Sequence, residues 1–350
     1  MKLEIVLLAF LALQTFCAGT FGQSVARFEI DKEVAAAGAS NISGTRFSIT
    51  GTLGQTAAVT FSNSTQFDLR VGFWNAAQKS SIDLDGDGKA DLAVRRPSDN
   101  IWYFLQTTAG FTGFQYGISG DYMAPADFDG DGKTDVAVFR PSVGSWFIRE
   151  STMGFYVDGW GQAGDLPVAA DYDGDGKADL AVFRPSNGTW YRKMSSSGIS
   201  VVQFGTAEDK PVLGDYDGDG KADLAVWRPS NNVWYFLRTT AGFTGIQWGT
   251  AGDIQAPADY DGDGKTDPAV FRPSTGVWFI AGSSVGFMTQ NWGANGDIPV
   301  PADYDGDGRA DVAVYRPSNS TWYLFRSSAG ILVNQFGTAE DKPVHSAFSY

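Results

Sequence analysis

Residues 83–98 read DLDGDGKADLAVRRPS, and the pattern starts again at Asp127, Asp171, Asp215, Asp259 and Asp303, each time 44 residues on. Six copies follow one another without an insertion. Three further features keep the same period. Trp102, Trp146, Trp190, Trp234, Trp278 and Trp322 form the first, and the Arg-Pro-Ser beginning at Arg96, Arg140, Arg184, Arg228, Arg272 and Arg316 forms the second. An aromatic-Gly pair ending at Gly117, Gly161, Gly205, Gly249, Gly293 and Gly337 is the third. A coarser symmetry lies over these: NIWYFLQTTAGFTGFQYG near Trp102 returns as NVWYFLRTTAGFTGIQWG near Trp234, and QFGTAEDKPV occurs at Gln203 and at Gln335. The array reads as a block of three repeats copied once.

Turn residues divide one repeat into four short strands: PVAADYD, then the Asp-Gly loop, DLAVFRPS, an Asn-Gly turn, GTWYRKMS, and a strand ending VVQFG. Four strands in a 44-residue period predict an all-β propeller built of four-stranded blades. Leu180, Ala181, Val182 and Phe183 form a continuous apolar run, as a strand covered on both faces by neighbouring blades requires. A solenoid shares the fixed period but needs atypical ends. After the sixth repeat a seventh first strand begins at Pro343 (PVHSAFSY), with Ala347 where the loop Asp would fall. Strand-like pieces between Arg27 and Asn75 (RFEI, TRFSITGTL, AAVTF, QFDLRVGFW) could pair with it. Seven blades closed by N- and C-terminal strands is therefore the expected count, since a blade shared by the termini removes open edges. Six blades with a separate β cap is the alternative.

Composition excludes other classes. With 43% hydrophobic and 19% charged residues the chain has material for a sizeable core, and 43 Gly with 14 Pro disfavour a helical bundle. The net charge of −14 would repel a phosphate backbone, so nucleic acid is not expected as a partner. One His (His345) and one Cys (Cys17) leave no His-rich metal site, Cys₄ zinc site or disulfide framework. At the N-terminus Lys2, an apolar run from Ile5 to Leu13, and small residues around Cys17-Ala18-Gly19 and Thr20-Phe21-Gly22 have the order of a secretory signal peptide. The expected organisation is a signal at 1–22, an N-terminal β segment at 23–78 (partial blade or cap) and the propeller at 79–350. The expected location is extracellular, with periplasm or cell surface as variants. No later run is apolar for long enough to span a bilayer, so no membrane insertion is expected after cleavage.

The loops carry the chemistry. Counting Asp171 as position 1, carboxylates stand at positions 1, 3, 5 and 9, and Lys177 at position 7 can offer only its backbone carbonyl. Alternate short carboxylates in a tightly coiled loop point at one centre, and the glycines between them permit the bend; this is an oxygen cage of the kind Ca²⁺ takes. Position 12 is Val182, in the apolar strand, so the loop is not an EF-hand. A bare Asp-Gly turn would need no such set of carboxylates. The expected ligand sets, about six ions in all, are Asp83, Asp85, Asp87, Lys89 and Asp91; Asp127, Asp129, Asp131, Lys133 and Asp135; Asp171, Asp173, Asp175, Lys177 and Asp179; Asp215, Asp217, Asp219, Lys221 and Asp223; Asp259, Asp261, Asp263, Lys265 and Asp267; and Asp303, Asp305, Asp307, Arg309 and Asp311.

The D-x-D-G-D-G-K-x-D loop, the apolar strand after it, and an aromatic-Gly followed by a segment such as Ala256-Pro257-Ala258-Asp259 resemble the FG-GAP/VCBS repeats of the integrin α-subunit propeller and of many secreted bacterial proteins. The resemblance covers about 79–350 and implies a propeller whose loops bind calcium through the Asp residues named above. It leaves function open, because adhesion proteins, polysaccharide-binding modules and parts of enzymes all carry such repeats. Pro268, after the last Asp of the fifth loop, departs from the pattern and is expected to loosen that strand.

Catalytic material is sparse. His345 is the sole His, no G-x-S-x-G accompanies it, and no glycosidase carboxylate pair can be named. The expectation is a secreted calcium-binding propeller, not an enzyme, that recognises a glycan or protein. A polysaccharide lyase or hydrolase built on the propeller is the alternative. The Arg-Pro-Ser turns and the Asp residues ending at Asp121, Asp165, Asp209, Asp253, Asp297 and Asp341 should gather on the face opposite the loops, either as a recognition ring or as an Arg-Asp lattice. The six Trp are read as blade core in preference to sugar-stacking platforms.

Overall fold

The computed structural model describes residues 82–344 and, further upstream, two strands, Val25–Glu29 and Ser48–Thr52. The chain divides into two compact units, residues 1–73 and 74–350. In the first, the two strands pair antiparallel with Arg27 opposite Thr50. The expected signal segment, the remainder of 23–78, His345 and Ala347 lie outside the described residues.

In the second unit the described residues form six four-stranded antiparallel sheets. One blade shows the plan, with Leu166–Pro167, Leu180–Arg184, Thr189–Met194 and Gly198–Gln203 hydrogen-bonded in that order. The first strand is shorter than expected, two residues extended by an isolated bridge between Ala170 and Asp179. The second is buried along Leu180–Phe183, as a strand flanked on both faces must be. A glycine sets the turn to the third strand, because a Cβ on Gly188 (φ +62°) would fall 2.2 Å from the Gly205 carbonyl oxygen. The fourth strand is largely exposed and forms the rim.

The core is a set of interfaces between blades. Val168, Tyr172, Phe183 and Trp190 of one blade pack with Ala222, Leu224 and Val226 of the next. Leu92 and Val94 of the first repeat pack in the same way with Tyr304, Tyr315 and Trp322 of the last, so the ring closes.

Among the described residues the ring has six blades, the alternative count, in place of the expected seven. Lys342–Pro343 joins Leu92–Arg96, Ile101–Gln106 and Gly110–Gln115 as the inner strand of the first blade, with Lys342 opposite Arg95 and Pro343 opposite Val94. The reason is the phase of the repeat. Each blade takes its innermost strand from the residues before its Asp loop, and the first loop begins at Asp83 with no such strand paired ahead of it among the described residues. The last copy of Lys-Pro-Val supplies it, as Lys210–Pro211 does for the fourth repeat. At Pro268 the corresponding strand runs from Ala269 to Arg272, one residue shorter than its counterparts, while the Pro268 carbonyl still accepts the Ala281 amide at 2.8 Å.

Candidate metal centres

Each Asp loop is folded by its own carboxylates. The position-1 carboxylate accepts the amide of the first loop glycine on Oδ1 at 2.6–2.7 Å. Its Oδ2 accepts the amide of the second glycine at 2.8–3.0 Å. The position-9 carboxylate reaches back to the amide of position 2, as from Tyr172 to Asp179 at 2.8 Å. Its other oxygen accepts the amide that opens the hairpin between the third and fourth strands, as from Ser195 to Asp179 at 2.7 Å.

That hairpin clamps the remaining carboxylates, through residues that sequence reading did not pick out. A hydroxyl pair recurs at Thr107-Thr108, Ser151-Thr152, Ser195-Ser196, Thr239-Thr240, Ser283-Ser284 and Ser327-Ser328, again 44 residues apart. The first hydroxyl donates to the position-5 carboxylate in every repeat. The second residue donates through its amide to Oδ2 of position 3. The constant period of these hydroxyls was the available signal.

These bonds leave a distinctive remainder. Oδ1 of the position-3 carboxylate is buried and takes no hydrogen bond at Asp85, Asp173, Asp217, Asp261 and Asp305. At Asp129 it accepts a long bond from the Asp131 amide, 3.2 Å. Oxygens of positions 1, 3 and 9 lie within 4.8 Å of one another in the first four loops, while in the fifth the close set is Asp259, Asp261 and Asp263. A buried acceptor with no donor, in a cluster of hard oxygens, is the environment a divalent cation relieves. The donor set fits calcium.

Electrostatics agrees. Burial, with added repulsion from positions 3 and 1, pushes the position-9 carboxyls up, to about 7 at Asp91, Asp135, Asp223 and Asp311 and about 6 at Asp179 and Asp267. The position-3 carboxyls are held low; burial opposes this, but the hydroxyl and amide donors of the hairpin outweigh it.

The loops also form a ring of their own. The position-8 amide of each loop donates to the position-1 carbonyl of the loop before it at 2.6–2.7 Å, including the closing link from Ala90 to Asp303. The position-7 side chains lie across the neighbouring loop's first glycine: Lys133 over Gly86, Lys177 over Gly130, Lys221 over Gly174, Lys265 over Gly218, Arg309 over Gly262 and Lys89 over Gly306. Those glycines have φ of +75° to +79°, a region open to Gly and costly for other residues.

The Arg and Asp residues on the other connections are committed to each other. Arg96, Arg140, Arg184, Arg228, Arg272 and Arg316 make two-pronged bonds of 2.7–3.1 Å to Asp341, Asp121, Asp165, Asp209, Asp253 and Asp297. The Asp side chains are 0–2% exposed. Each guanidinium also lies 4.0–4.6 Å from the centre of a Tyr or Phe ring on the third strand. The Asp further accepts the amide three residues before it, as from Gln162 to Asp165 at 2.9 Å. This is the lattice reading: it pins each blade-to-blade connection to the second strand of the next blade. The six Trp are core, at most 1% exposed, each donating Nε1–H to the carbonyl of the aromatic residue that precedes the paired Gly.

Among solved structures, an Agrocybe aegerita lectin described as recognising non-reducing terminal N-acetylglucosamine is similar at 18% identity over 72% of this chain and 77% of that one (TM-score 0.48). A streptogramin B lyase is similar at 10% identity over 74% of this chain and 87% of that one (TM-score 0.48). BBS1N in complex with ARL6DN is similar at 12% identity over 72% and 78% (TM-score 0.44). Likeness at this level says nothing of ligand or reaction. No curated protein matches the sequence. The FG-GAP-like repeat matches four overlapping spans, 83–138, 127–182, 171–226 and 215–270, each running from one Asp loop into the next blade and together covering more than half of the chain. The protein belongs to the FG-GAP-like repeat family.

Proposed function

We propose that this is a secreted, calcium-stabilised six-bladed propeller that recognises an extracellular glycan or protein. The observation that carries the calcium reading is the buried, donorless Oδ1 of the position-3 carboxylate, repeated in five loops. Calcium would be held by the position-1, -3, -5 and -9 carboxylates and the position-7 carbonyl. It supplies countercharge that the single Lys or Arg of each loop cannot. In this reading the ion is structural: it fastens the innermost loop to the outer hairpin, and through the ring of loop-to-loop bonds it fastens blade to blade.

Recognition is supported by the rim, not by the Arg ring. One large apolar side chain per blade stands 59–67% exposed on the fourth strand: Phe111, Phe155, Ile199, Phe243, Phe287 and Ile331. Apolar side chains standing singly on a surface are ordinary; what supports a recognition role here is their recurrence at one level of the fourth strand in all six blades. Export follows from the tripartite N-terminal pattern.

The test is a thermal melt of the mature chain in about 1 mM calcium and in chelator, followed by binding to a panel of glycans and matrix proteins. A loop with a dissociation constant of about 10⁻⁴ M, as in extracellular modules, gains roughly 1.4 kcal/mol at that calcium concentration. Six independent loops would approach about 8 kcal/mol, comparable with the net stability of a typical domain. A melt unchanged by chelator would sink the calcium reading, and a folded protein that binds nothing on the panel would count against recognition of these ligand classes.

A further inference from the structure

The third and fourth loops have the same nine residues, DYDGDGKAD, at 171–179 and 215–223. Their bonds to the two glycine amides and to the position-2 amide agree within 0.1 Å. In front, the hairpins differ by one hydroxyl, Ser197 donating to Asp173 where the fourth blade has Ala241, and the larger difference lies behind the loop. There the two blades part. Opposite Ala225 on the third strand is Phe236, 3% exposed, whose ring lies 4.6 Å from that of Tyr216, the second residue of the fourth loop. Opposite Ala181, at the equivalent place, is Arg192, whose guanidinium carbon lies 5.1 Å from the centre of the Tyr172 ring, between Asp171 and Asp173 in sequence. The other four blades carry Phe104, Ile148, Ile280 and Leu324 there, all buried. One core position in six therefore holds a cation.

We propose that Arg192 makes the third loop the weakest cation site of the ring, a proposal that rests on the calcium reading of the loops. The guanidinium cannot shed its proton in a protein. It is poorly compensated where it lies: Nη2 donates to Ser200 Oγ at 2.9 Å, and Nε is buried with no partner. The nearest source of opposite charge is the loop, and Asp179 at position 9 is the carboxylate that acts on it. Arg192 thus gives this loop a built-in countercharge behind it, at the position where its twin carries Phe236; the cation that acts on the twin, Arg238, does so on Asp217 from the start of the hairpin. The same charge repels an arriving dication. One unit charge meeting a divalent ion through partly solvated protein weakens binding by about tenfold as an order of magnitude. The third loop keeps its shape without metal and fills last.

Native mass spectrometry of the full chain across a calcium titration counts the ions bound. The wild type is expected to fill one site at about tenfold higher free calcium than its best-matched neighbours. Arg192→Phe, which installs the residue that the first and fourth blades carry, brings that site into line. Arg192→Lys keeps the charge and keeps the late site, which a packing role for the Arg stem would not require. Phe236→Arg, where it folds by near-ultraviolet circular dichroism, creates a second late site; the Phe and Lys variants at 192 decide the matter without it. Identical filling in wild type and Arg192→Phe, with ions bound, overturns the proposal and leaves the calcium reading standing. Absence of any bound calcium in all variants overturns both.

Discussion

Replacing Asp165 by Ala tests whether the Arg-Asp ring holds the fold together or waits for a ligand. Asp165 is wholly buried and accepts three bonds, from Arg184 Nε at 2.7 Å, Arg184 Nη2 at 2.8 Å and the Gln162 amide at 2.9 Å. Its removal strands a guanidinium and an amide. Breaking one side of a buried ion pair costs about 3–5 kcal/mol. Arg184 is 18% exposed, so water reaches part of it and a loss of about 2–4 kcal/mol is the better figure. At about 2–4 °C per kcal/mol for a domain of this size, the melting temperature should fall by about 4–16 °C. Differential scanning calorimetry in saturating calcium reads it. Adding Arg184→Met should recover part of the loss, because the orphaned charge leaves with it. A melt within about 1 °C of wild type would refute the structural assignment, and all the more so if ligand binding were lost at the same time.

Two further predictions follow from the seam and the loops. Truncation before Lys342 deletes the inner strand of the first blade and, with it, the bond from the Val344 amide to the Ala93 carbonyl; the shortened chain should show fast amide exchange in residues 92–106, and protection equal to the full chain would contradict the closure described here. In chelator, the position-9 carboxyls titrate near 6–7 when folded against about 4 when unfolded, so the folded state holds extra protons between those values. Their contribution to stability is full at low pH and is lost as pH rises through about 7, so the chelated protein should melt lower at pH 8 than at pH 5.5, whereas calcium, which needs the deprotonated forms, should stabilise more at pH 8. A chelated melt that rises over that range would argue against burial of these groups.

Much of this was legible in the sequence because each repeat solves the same local problem. The 44-residue period, the four strands, the buried Leu180–Phe183 run and the Trp cores were all readable, since each follows from local pattern. The blade count was not, because the sequence offers a seventh first strand at Pro343 without saying which strand it joins; only the pairing of Lys342–Pro343 with Leu92–Arg96 assigns it to the first blade. The fate of the Arg residues was half legible. Asp121 and Arg140 stand 19 residues apart, and so do Asp165 and Arg184, yet spacing alone does not say that the two side chains meet. The hydroxyl clamps kept the period in plain view, but Ser and Thr in a hairpin turn are common enough to pass as turn formers. Arg192 was the opposite case, a break in the pattern whose meaning depends on the ring of Tyr172 in front of it.

The central claim is that the six Asp loops are calcium sites. Equilibrium dialysis of the full chain against radiolabelled calcium at neutral pH and moderate salt tests it most directly. The account predicts about six ions per chain, five of them bound with dissociation constants near or below about 10⁻⁴ M, and loss of one ion when Asp217, whose Oδ1 is buried without a donor, is changed to Ala. A folded chain that takes up no calcium at millimolar concentration would contradict it.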